Sequence, residues 1–303
     1  MKEITLPAYA KINLHLDVTS RLDNGYHEVS TVMQSVSLCD EVTVGLCEDG
    51  GISISCDVDW LPTDSRNLAW RAADLFFERC GFRKGVRIKI VKRIPAAAGL
   101  AGGSTDAAAV LLALNALCGY PIDRAELLGL AAKLGADLPF CVAGGVKYAD
   151  GFGEKLHAFP KIPHCYLVIA VGREGVSTPW AYKMLDERYG GFEDDRYLPR
   201  SLSGLRLAVE LGDIAELSKN IYNIFESVIE PERAEVTHIK RELLESGAVG
   251  AMMSGSGPSV FGMFESESDA RRAAESLREK GISAFAAEPV YPDTEYCDFE
   301  KEI

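Results

Sequence analysis

Apolar and polar side chains alternate along the first sixty residues, as they do in half-buried β-strands. Ile12, Leu14 and Leu16 alternate with polar neighbours, and Asp23-Asn24-Gly25 is a strong hairpin-turn signal. This pattern predicts an antiparallel, hairpin-rich opening. Later strands of the same region are expected over 29–33, 36–38, 42–44 and 52–54.

Helix caps and helical periodicity appear after residue 60. Asp64-Ser65 predicts the N-cap region of a helix over 67–80, and Gly81 predicts the end of that helix. Asp123-x-x-Glu126 resembles a capping box, with Asp in the place of Ser or Thr, and so predicts the start of another helix.

The second half of the chain has a β-α-β pattern of the ferredoxin-like type. We place a domain boundary near residues 160–163, which gives domains over 1–160 and 161–303, the latter ending in an acidic tail over 293–303. The fold class is therefore predicted to be α+β. Expected elements are strands at 146–149, 166–171, 249–253, 260–264 and 282–287, and helices at 180–185, 205–211, 233–246 and 268–280.

Composition narrows the range of functions. A length of 303 residues with 47% hydrophobic residues predicts a globular protein with a real core. The net charge of −13 argues against a nucleic-acid-binding surface and against docking on anionic membranes. The start has no long apolar core of a signal peptide, and no run approaches the ~20 apolar residues of a membrane span, so we expect a cytoplasmic protein.

The eight cysteines are scattered without a C-x-x-C motif, which predicts reduced thiols. The five histidines form no cluster with ligand spacing, so no zinc site is predicted.

A glycine-rich stretch between a strand and a helix is the strongest candidate for chemistry. The run over 86–91 alternates apolar and basic residues, and residues 95–109 read Pro-Ala-Ala-Ala-Gly-Leu-Ala-Gly-Gly-Ser-Thr-Asp-Ala-Ala-Ala before a helix-forming run. Helix N-termini carry unpaired N–H groups and partial positive charge, and glycine lets the backbone approach an anion closely. The stretch is either a phosphate cradle or a tight turn of small residues, and three glycines followed by Ser-Thr favour the cradle.

Two common phosphate-binding motifs do not fit this stretch. The Walker motif requires a lysine after the last glycine, and no lysine follows Gly103. The dinucleotide fingerprint requires Gly-x-Gly-x-x-Gly, whereas the stretch reads Gly-x-x-Gly-Gly.

Two charged residues outside the loop are candidates for catalysis. Lys11 shares a strand face with Asn13 among small apolar residues, although a lone lysine is usually a solvated surface group. Asp137 lies between a helix-ending glycine and Leu-Pro-Phe, where it is either a turn residue or a carboxylate able to accept a hydroxyl proton. Pairing with Lys11 would keep that carboxylate ionised.

The loop resembles that of the GHMP kinases, the family of galactokinase, homoserine kinase, mevalonate kinase and phosphomevalonate kinase. The loop of that family reads Pro-x-x-x-Gly-Leu-x-x-Ser-Ser/Thr. The match is carried by Pro95, Gly99, Leu100, Ser104 and Thr105, with one extra residue between Leu100 and Ser104. Further matching stretches lie at 10–14, 23–27, 135–140, 175–178 and 253–261.

The resemblance implies a two-domain fold, with a ribosomal-protein-S5-like N-terminal domain and a ferredoxin-like C-terminal domain. It also implies an ATP-dependent phosphotransferase that uses Mg²⁺, with Lys11 and Asp137 as the catalytic pair. The residues matching the ATP phosphate loop are Pro95, Ala96, Ala97, Ala98, Gly99, Leu100, Ala101, Gly102, Gly103, Ser104 and Thr105.

The hairpin Gly25-Tyr26-His27 points to the branch of the family that reads a cytidine. For that branch the resemblance implies a small-molecule substrate, a cytidine diphosphate-linked methylerythritol of the non-mevalonate isoprenoid pathway, phosphorylated on its 2-hydroxyl group. Tyr26 would stack on cytosine, His27 would bond its edge, Tyr182 would form the second wall, and Asn13 would orient the substrate. Taken alone, Tyr26 and His27 also fit a core-covering aromatic and a surface imidazole.

Three readings of the function stay open at this point. They are the cytidine-reading kinase, a homoserine or mevalonate-type kinase, and a non-catalytic nucleotide sensor on the same fold, although a sensor need not retain both Lys11 and Asp137. A monomer or weak homodimer is expected. The family's Asn-Asp-Leu-Glu-like segment reads Asn223-Ile224-Phe225-Glu226 here, and the turn over 254–259 is interpreted as a structural support for the loop.

Overall fold

Two long strands, β1 (Glu3–Arg21) and β2 (His27–Cys47), open the chain in a computed structural model that describes residues 2–23, 25–48, 50–82, 84–192 and 197–292. The runs expected separately over 29–33, 36–38 and 42–44 are parts of the single strand β2. Asn24, in the predicted turn, and the acidic tail over 293–303 lie outside the described residues.

The contacts divide the chain into two units that are discontinuous in sequence. The first unit contains the residues up to Ala10, Leu38–Ala96 and Ala101–Gly144, and the second contains Lys11–Ser37, Ala97–Leu100 and the chain from Gly145 onward. The boundary expected near residue 160 stays a prediction.

The first unit combines a sheet with four helices. Its further elements are β3 (Ile52–Cys56), α1 (Leu68–Cys80), β4 (Gly85–Val91), α2 (Gly102–Leu117), α3 (Arg124–Leu134) and α4 (Leu138–Ala143). β4 runs antiparallel to β2 but parallel to β3, so the last strand of the opening, β3, differs from the antiparallel pairing that was expected there. Val86, Ile88 and Ile90 of β4 are buried against the helices, and the alternate residues Arg87 and Lys89 are exposed.

Of the two helix N-caps predicted in this unit, that of α3 is observed and that of α1 is a different residue. Asp123 caps α3 by accepting a hydrogen bond from the Glu126 amide at 2.8 Å, as predicted. The N-cap of α1 is Asn67, whose side chain accepts from the Ala69 amide at 2.9 Å, and not the predicted Asp64-Ser65. Asp64 instead forms an ion pair with Arg66.

The second unit contains a four-stranded antiparallel sheet. Its elements are β5 (Val146–Asp150), β6 (Lys155–Ala158), β7 (Tyr166–Val171), α5 (Thr178–Tyr189), a 3₁₀ turn (Gly190–Phe192), α6 (Ser203–Leu211), α7 (Ile214–Asn220), β8 (Tyr222–Asn223), α8 (Glu226–Ile229), α9 (Ala234–Glu245), β9 (Gly250–Met253), β10 (Ser259–Phe264), α10 (Glu267–Glu279) and β11 (Ser283–Ala287). The strand order β11-β7-β10-β9 is that of a ferredoxin-like β-α-β-β-α-β arrangement. The predicted α+β class is confirmed.

The core of the second unit lies between this sheet and its helices. Val168, Ala170, Val260 and Phe264 contribute buried side chains from the sheet, and α9 and α10 contribute theirs from the helices. Strand β8 pairs in parallel with β1 at His15 and Leu16. In the described part of the chain, no helix is both long and apolar enough to cross a membrane.

Candidate active site

The glycine-rich loop leaves β4 and enters α2 through unusual backbone conformations. Ala97, Gly99 and Ala101 have φ values of 49°, 74° and 59°, in the left-handed region that disfavours side chains. Strain of this kind persists only where the surroundings enforce it, and it clusters at ligand-binding sites. At Gly99 glycine is required, since a Cβ atom there would lie 2.4 Å from the Ser254 carbonyl oxygen.

The first turn of α2 offers the amides expected of an anion site. The helix begins at Gly102, so Ser104 and Thr105 lie inside its first turn and do not cap it. Gly103 is exposed and Ser104 half-buried, whereas Thr105 is buried and donates its hydroxyl hydrogen to the Tyr9 carbonyl at 2.7 Å. The exposed amides at the positive end of the helix dipole suit a phosphate group.

Lys11 is attached to the loop by its backbone and oriented by its side chain. Its amide donates to the Leu100 carbonyl at 3.1 Å, and its Nζ donates to Asn13 Oδ1 at 2.8 Å. Only 5% of Lys11 is exposed, so the general expectation of a solvated lysine does not hold here. Lys11 is therefore held by hydrogen bonds to the loop and to Asn13, which supports its candidacy as the catalytic lysine.

Asn13 joins this lysine to two other segments. Its Nδ2 donates to Thr31 Oγ1 at 2.9 Å, and its Oδ1 also accepts from the Gly255 amide at 3.0 Å. Thr31 in turn donates to the His15 carbonyl at 2.7 Å. Three hydrogen bonds of Asn13 belong to this network, and the one from Lys11 Nζ fixes the lysine side chain; the expected role of Asn13 in orienting a substrate stays a prediction.

The turn over 254–259 supports the loop, as the sequence suggested. Ser254 Oγ donates to the Gly99 carbonyl at 3.2 Å. The turn is itself held by Asn223, whose Nδ2 donates to the Met253 and Gly255 carbonyls at 2.7 and 2.9 Å. Asn223 therefore has a structural role despite the altered segment around it.

Asp137 is the N-cap residue of α4 and follows Gly135, the C-cap residue of α3, by two positions. Its backbone is helical, and within the described part of the chain its side chain makes no capping hydrogen bond to that helix. Its role as a turn residue or as a carboxylate that accepts a hydroxyl proton stays a prediction. Lys11 belongs to the second unit and Asp137 to the first, so their pairing stays a prediction.

The two hairpin residues, Tyr26 and His27, differ in burial and in their aromatic contacts. The His27 ring is buried and stacks on Tyr182 with centroids 4.6 Å apart and planes at 19°, which brings two of the predicted residues together. Tyr26 is 65% exposed and contacts Phe152, with centroids 5.2 Å apart. The proposed cytosine sandwich between Tyr26 and Tyr182 stays a prediction.

Sequence reasoning missed Asp186, which bonds His27. The Asp186 Oδ1 atom lies 2.7 Å from His27 Nε2, and its Oδ2 lies 3.6 Å from Arg21 Nη1. Asp186 follows Tyr182 by four residues on α5, a spacing that puts both side chains on one helix face. Because Tyr182 was already a candidate, the four-residue spacing could have indicated Asp186 from the sequence.

A buried charge cluster lies behind the start of α2. Lys92 Nζ bonds Asp106 Oδ2 at 2.8 Å and also bonds Asp40, whose other oxygen accepts from the Ile94 amide at 2.8 Å. Burial raises the pKa of Asp106 to about 7; the Lys92 charge lowers it and the Asp40 charge raises it. Among the described residues, Asp106 Oδ1 is buried without a hydrogen-bond partner. A buried oxygen without a partner makes the ionised carboxylate costly, and this agrees with the raised pKa.

We expect Asp106→Asn to flatten the pH dependence of stability. The native protein keeps the Asp106 proton to about pH 7, whereas the unfolded chain releases it near 3.8, so the stabilising contribution is full below pH 4 and is lost as pH rises through 7. The wild-type free energy of unfolding should fall relative to the variant by up to about 1.4 kcal/mol per pH unit in this range. Urea unfolding between pH 4 and 8 measures the difference.

The matched control for this test is Asp64→Asn. Asp64 is exposed beside Arg66, and hydrogen bonds from Arg66 lower its pKa to about 2, so its removal leaves the slope above about pH 5 unchanged. Parallel curves for Asp106→Asn and the wild type would contradict the proton assignment.

Among the described residues, no group of three or more His, Cys, Asp or Glu side chains is arranged to hold a metal ion. A magnesium ion in a phosphotransferase site takes most of its ligands from water and substrate phosphates, with one or two protein oxygens. The half-buried Ser104 hydroxyl in the first turn of α2 fits that limited requirement.

Comparisons with known proteins agree with the loop and the fold. Residues 67–145 match the model of the GHMP kinases N-terminal domain, and residues 205–283 match that of the GHMP kinases C-terminal domain. A 4-diphosphocytidyl-2-C-methyl-D-erythritol kinase of Acetivibrio thermocellus is 43% identical, covering 96% of this chain and 100% of the relative. A protein of the same name from Geobacter sulfurreducens is 39% identical with the same coverage.

The fold of this chain is also similar to solved kinase structures. The crystal structure of a 4-(cytidine 5'-diphospho)-2C-methyl-D-erythritol kinase matches with a TM-score of 0.80 and 35% identity, covering 94% of this chain and 98% of that one. A homoserine kinase from Cytophaga hutchinsonii matches with a TM-score of 0.71 and 21% identity, covering 96% of both chains, which shows the shared fold alone.

Proposed function

The chain belongs to the GHMP kinase family, and from that premise we propose that it transfers the γ-phosphoryl group of ATP to the 2-hydroxyl group of 4-diphosphocytidyl-2-C-methyl-D-erythritol. The observation that carries the proposal is the position of Lys11, a buried cation bonded through its amide to the phosphate loop and held by Asn13. The names of the relatives support the choice of substrate.

The transfer is direct, with no phosphoenzyme intermediate, because phosphoryl transfer depends mainly on positioning and charge neutralisation. ATP is the phosphate donor, and its phosphates meet the amides of the loop and of the first turn of α2. Asp137 orients or deprotonates the substrate hydroxyl group, and Lys11 stabilises the charge that develops on the transferred group. Asp137 occupies the N-cap position of α4, within the stretch over 135–140 that matches the family.

Mg²⁺ accompanies the nucleotide in this proposal. The protein oxygen offered to it is the Ser104 hydroxyl, since the Thr105 hydroxyl already donates to Tyr9. Asp106 is not proposed as a ligand, because it is buried and bonded to Lys92. When bound, the ion neutralises part of the triphosphate charge.

The base of the substrate is read at the opening hairpin. Tyr26 presents an exposed ring for stacking, and His27 offers a ring nitrogen to the base edge. Tyr182 already stacks on His27, which supports its inclusion in the same subsite. The enzyme is proposed to work in the cytoplasm as a monomer or weak homodimer.

We expect CDP to inhibit the reaction competitively with respect to the cytidine substrate. The test is a coupled assay of ADP release with 4-diphosphocytidyl-2-C-methyl-D-erythritol, repeated with CDP and with homoserine or mevalonate as alternative acceptors. Turnover of the cytidine substrate alone, inhibited by CDP, supports the proposal. Turnover of homoserine or mevalonate without inhibition by CDP identifies one of the rival kinases, and ATP binding without ADP release identifies a non-catalytic sensor.

A further inference from the structure

The His27–Asp186 contact determines which nitrogen of the imidazole carries the proton. Asp186 Oδ1 lies 2.7 Å from His27 Nε2, and an ionised carboxylate only accepts hydrogen bonds. In the neutral imidazole the proton is therefore on Nε2. The other nitrogen, Nδ1, is then an acceptor, since one ring nitrogen donates when the other accepts.

The ring that carries this acceptor is held on more than one side. It stacks on Tyr182, and Phe192 meets it edge-on with centroids 6.1 Å apart at 78°. Only 7% of the His27 side chain is exposed, against 21% of the Asp186 side chain. Arg21 Nη1 lies 3.6 Å from Asp186 Oδ2, so the carboxylate is contacted at its second oxygen as well. The ring cannot easily turn to exchange its two nitrogens.

A fixed acceptor distinguishes the two common pyrimidines. Cytosine has an amino group at its 4-position, which donates, whereas uracil has a carbonyl oxygen there, which accepts. An acceptor opposite the uracil oxygen leaves two lone pairs facing each other, and sites built around a specific hydrogen bond reject the wrong analogue strongly.

We propose that Asp186 is a positioning residue that locks His27 in its Nε2–H tautomer, so that Nδ1 accepts from the exocyclic amino group of cytosine and excludes uracil. The inference rests on the proposed function, in which His27 contacts the base. It assigns the selection between cytidine and uridine nucleotides to a residue that does not itself touch the base.

The test is the ratio of inhibition constants for CDP and UDP in Asp186→Asn and Asp186→Ala. Asparagine keeps the size of the side chain, but its amide can donate to Nε2 and so place the proton on Nδ1. We expect the preference for CDP to fall at least about 10-fold in both variants, while the KM for ATP stays unchanged and kcat for the cytidine substrate at saturation changes less than about threefold. A general structural defect would instead lower kcat and raise both KM values.

Asp150→Asn is the matched control, because Asp150 Oδ2 lies 2.9 Å from the ring of the exposed His157 in the β5–β6 hairpin. It removes the same kind of aspartate–histidine contact, and the CDP preference should not change. Asp186→Glu, which restores a carboxylate, should recover part of the preference.

A second measurement uses the wild-type protein, so it remains possible if the Asp186 variants fail to fold. In ¹⁵N spectra of histidine-labelled wild-type protein, the His27 signals, assigned by their loss in His27→Gln, should show a protonated Nε2 and an unprotonated Nδ1. The reverse tautomer, or a wild-type CDP preference kept in Asp186→Asn and Asp186→Ala, would overturn the inference. Absence of CDP inhibition in the wild type would instead overturn the proposed function.

Discussion

Replacing Asp137 by asparagine is expected to lower turnover by at least about 100-fold while the affinity for ATP barely changes. Asparagine has nearly the same size but cannot accept a proton, and general-base catalysis contributes about 10²–10⁴-fold. Steady-state ADP release and a nucleotide titration measure the two effects.

Asp123→Asn is the control for this substitution. Asp123 also occupies an N-cap position, and its carboxylate accepts from the Glu126 amide, a role that asparagine fills equally well. Its turnover should therefore match the wild type. If Asp137→Asn keeps turnover within a few-fold, Asp137 is not the group that handles the substrate proton.

Local signals predicted many of the helices and strands. The apolar run at 166–171 coincides with β7, and Gly81 and Asp123 mark the end of α1 and the start of α3 as expected. The lengths of the first strands were harder to predict, because the alternation along β2 does not show that the strand continues unbroken for 21 residues. Helix α4 was missed because it has six residues and follows α3 almost at once.

The sequence also identified candidate site residues more readily than the residues to which they are hydrogen-bonded. The loop, Lys11 and His27 were all candidates from local motifs. Their bonds are long-range: Asn13 Oδ1 accepts from Gly255, 242 positions away, and His27 bonds Asp186, 159 positions away. Partners of this kind depend on how β1 and β2 pack within the second unit, which no local pattern encodes.

Two of the three glycines of the loop, Gly99 and Gly103, are expected to respond in opposite directions to alanine. Gly99→Ala should lower the free energy of unfolding by at least about 2 kcal/mol, because φ is 74° and the new Cβ atom would meet the Ser254 carbonyl oxygen at 2.4 Å. Relief of that clash displaces Leu100, which bonds the Lys11 amide, so turnover should also fall about 100-fold.

Gly103→Ala supplies the contrast, since its Cβ atom would meet only Leu68 Cδ1, at 3.9 Å. The position lies in the first turn of α2, where alanine raises stability by up to about 1 kcal/mol over glycine. Its exposed backbone faces the proposed phosphate site, so the ATP affinity should fall although the protein becomes more stable. Urea unfolding and nucleotide titration of both variants test the pair. Equal stability of Gly99→Ala and wild type would show that the contact with Ser254 does not shape the loop.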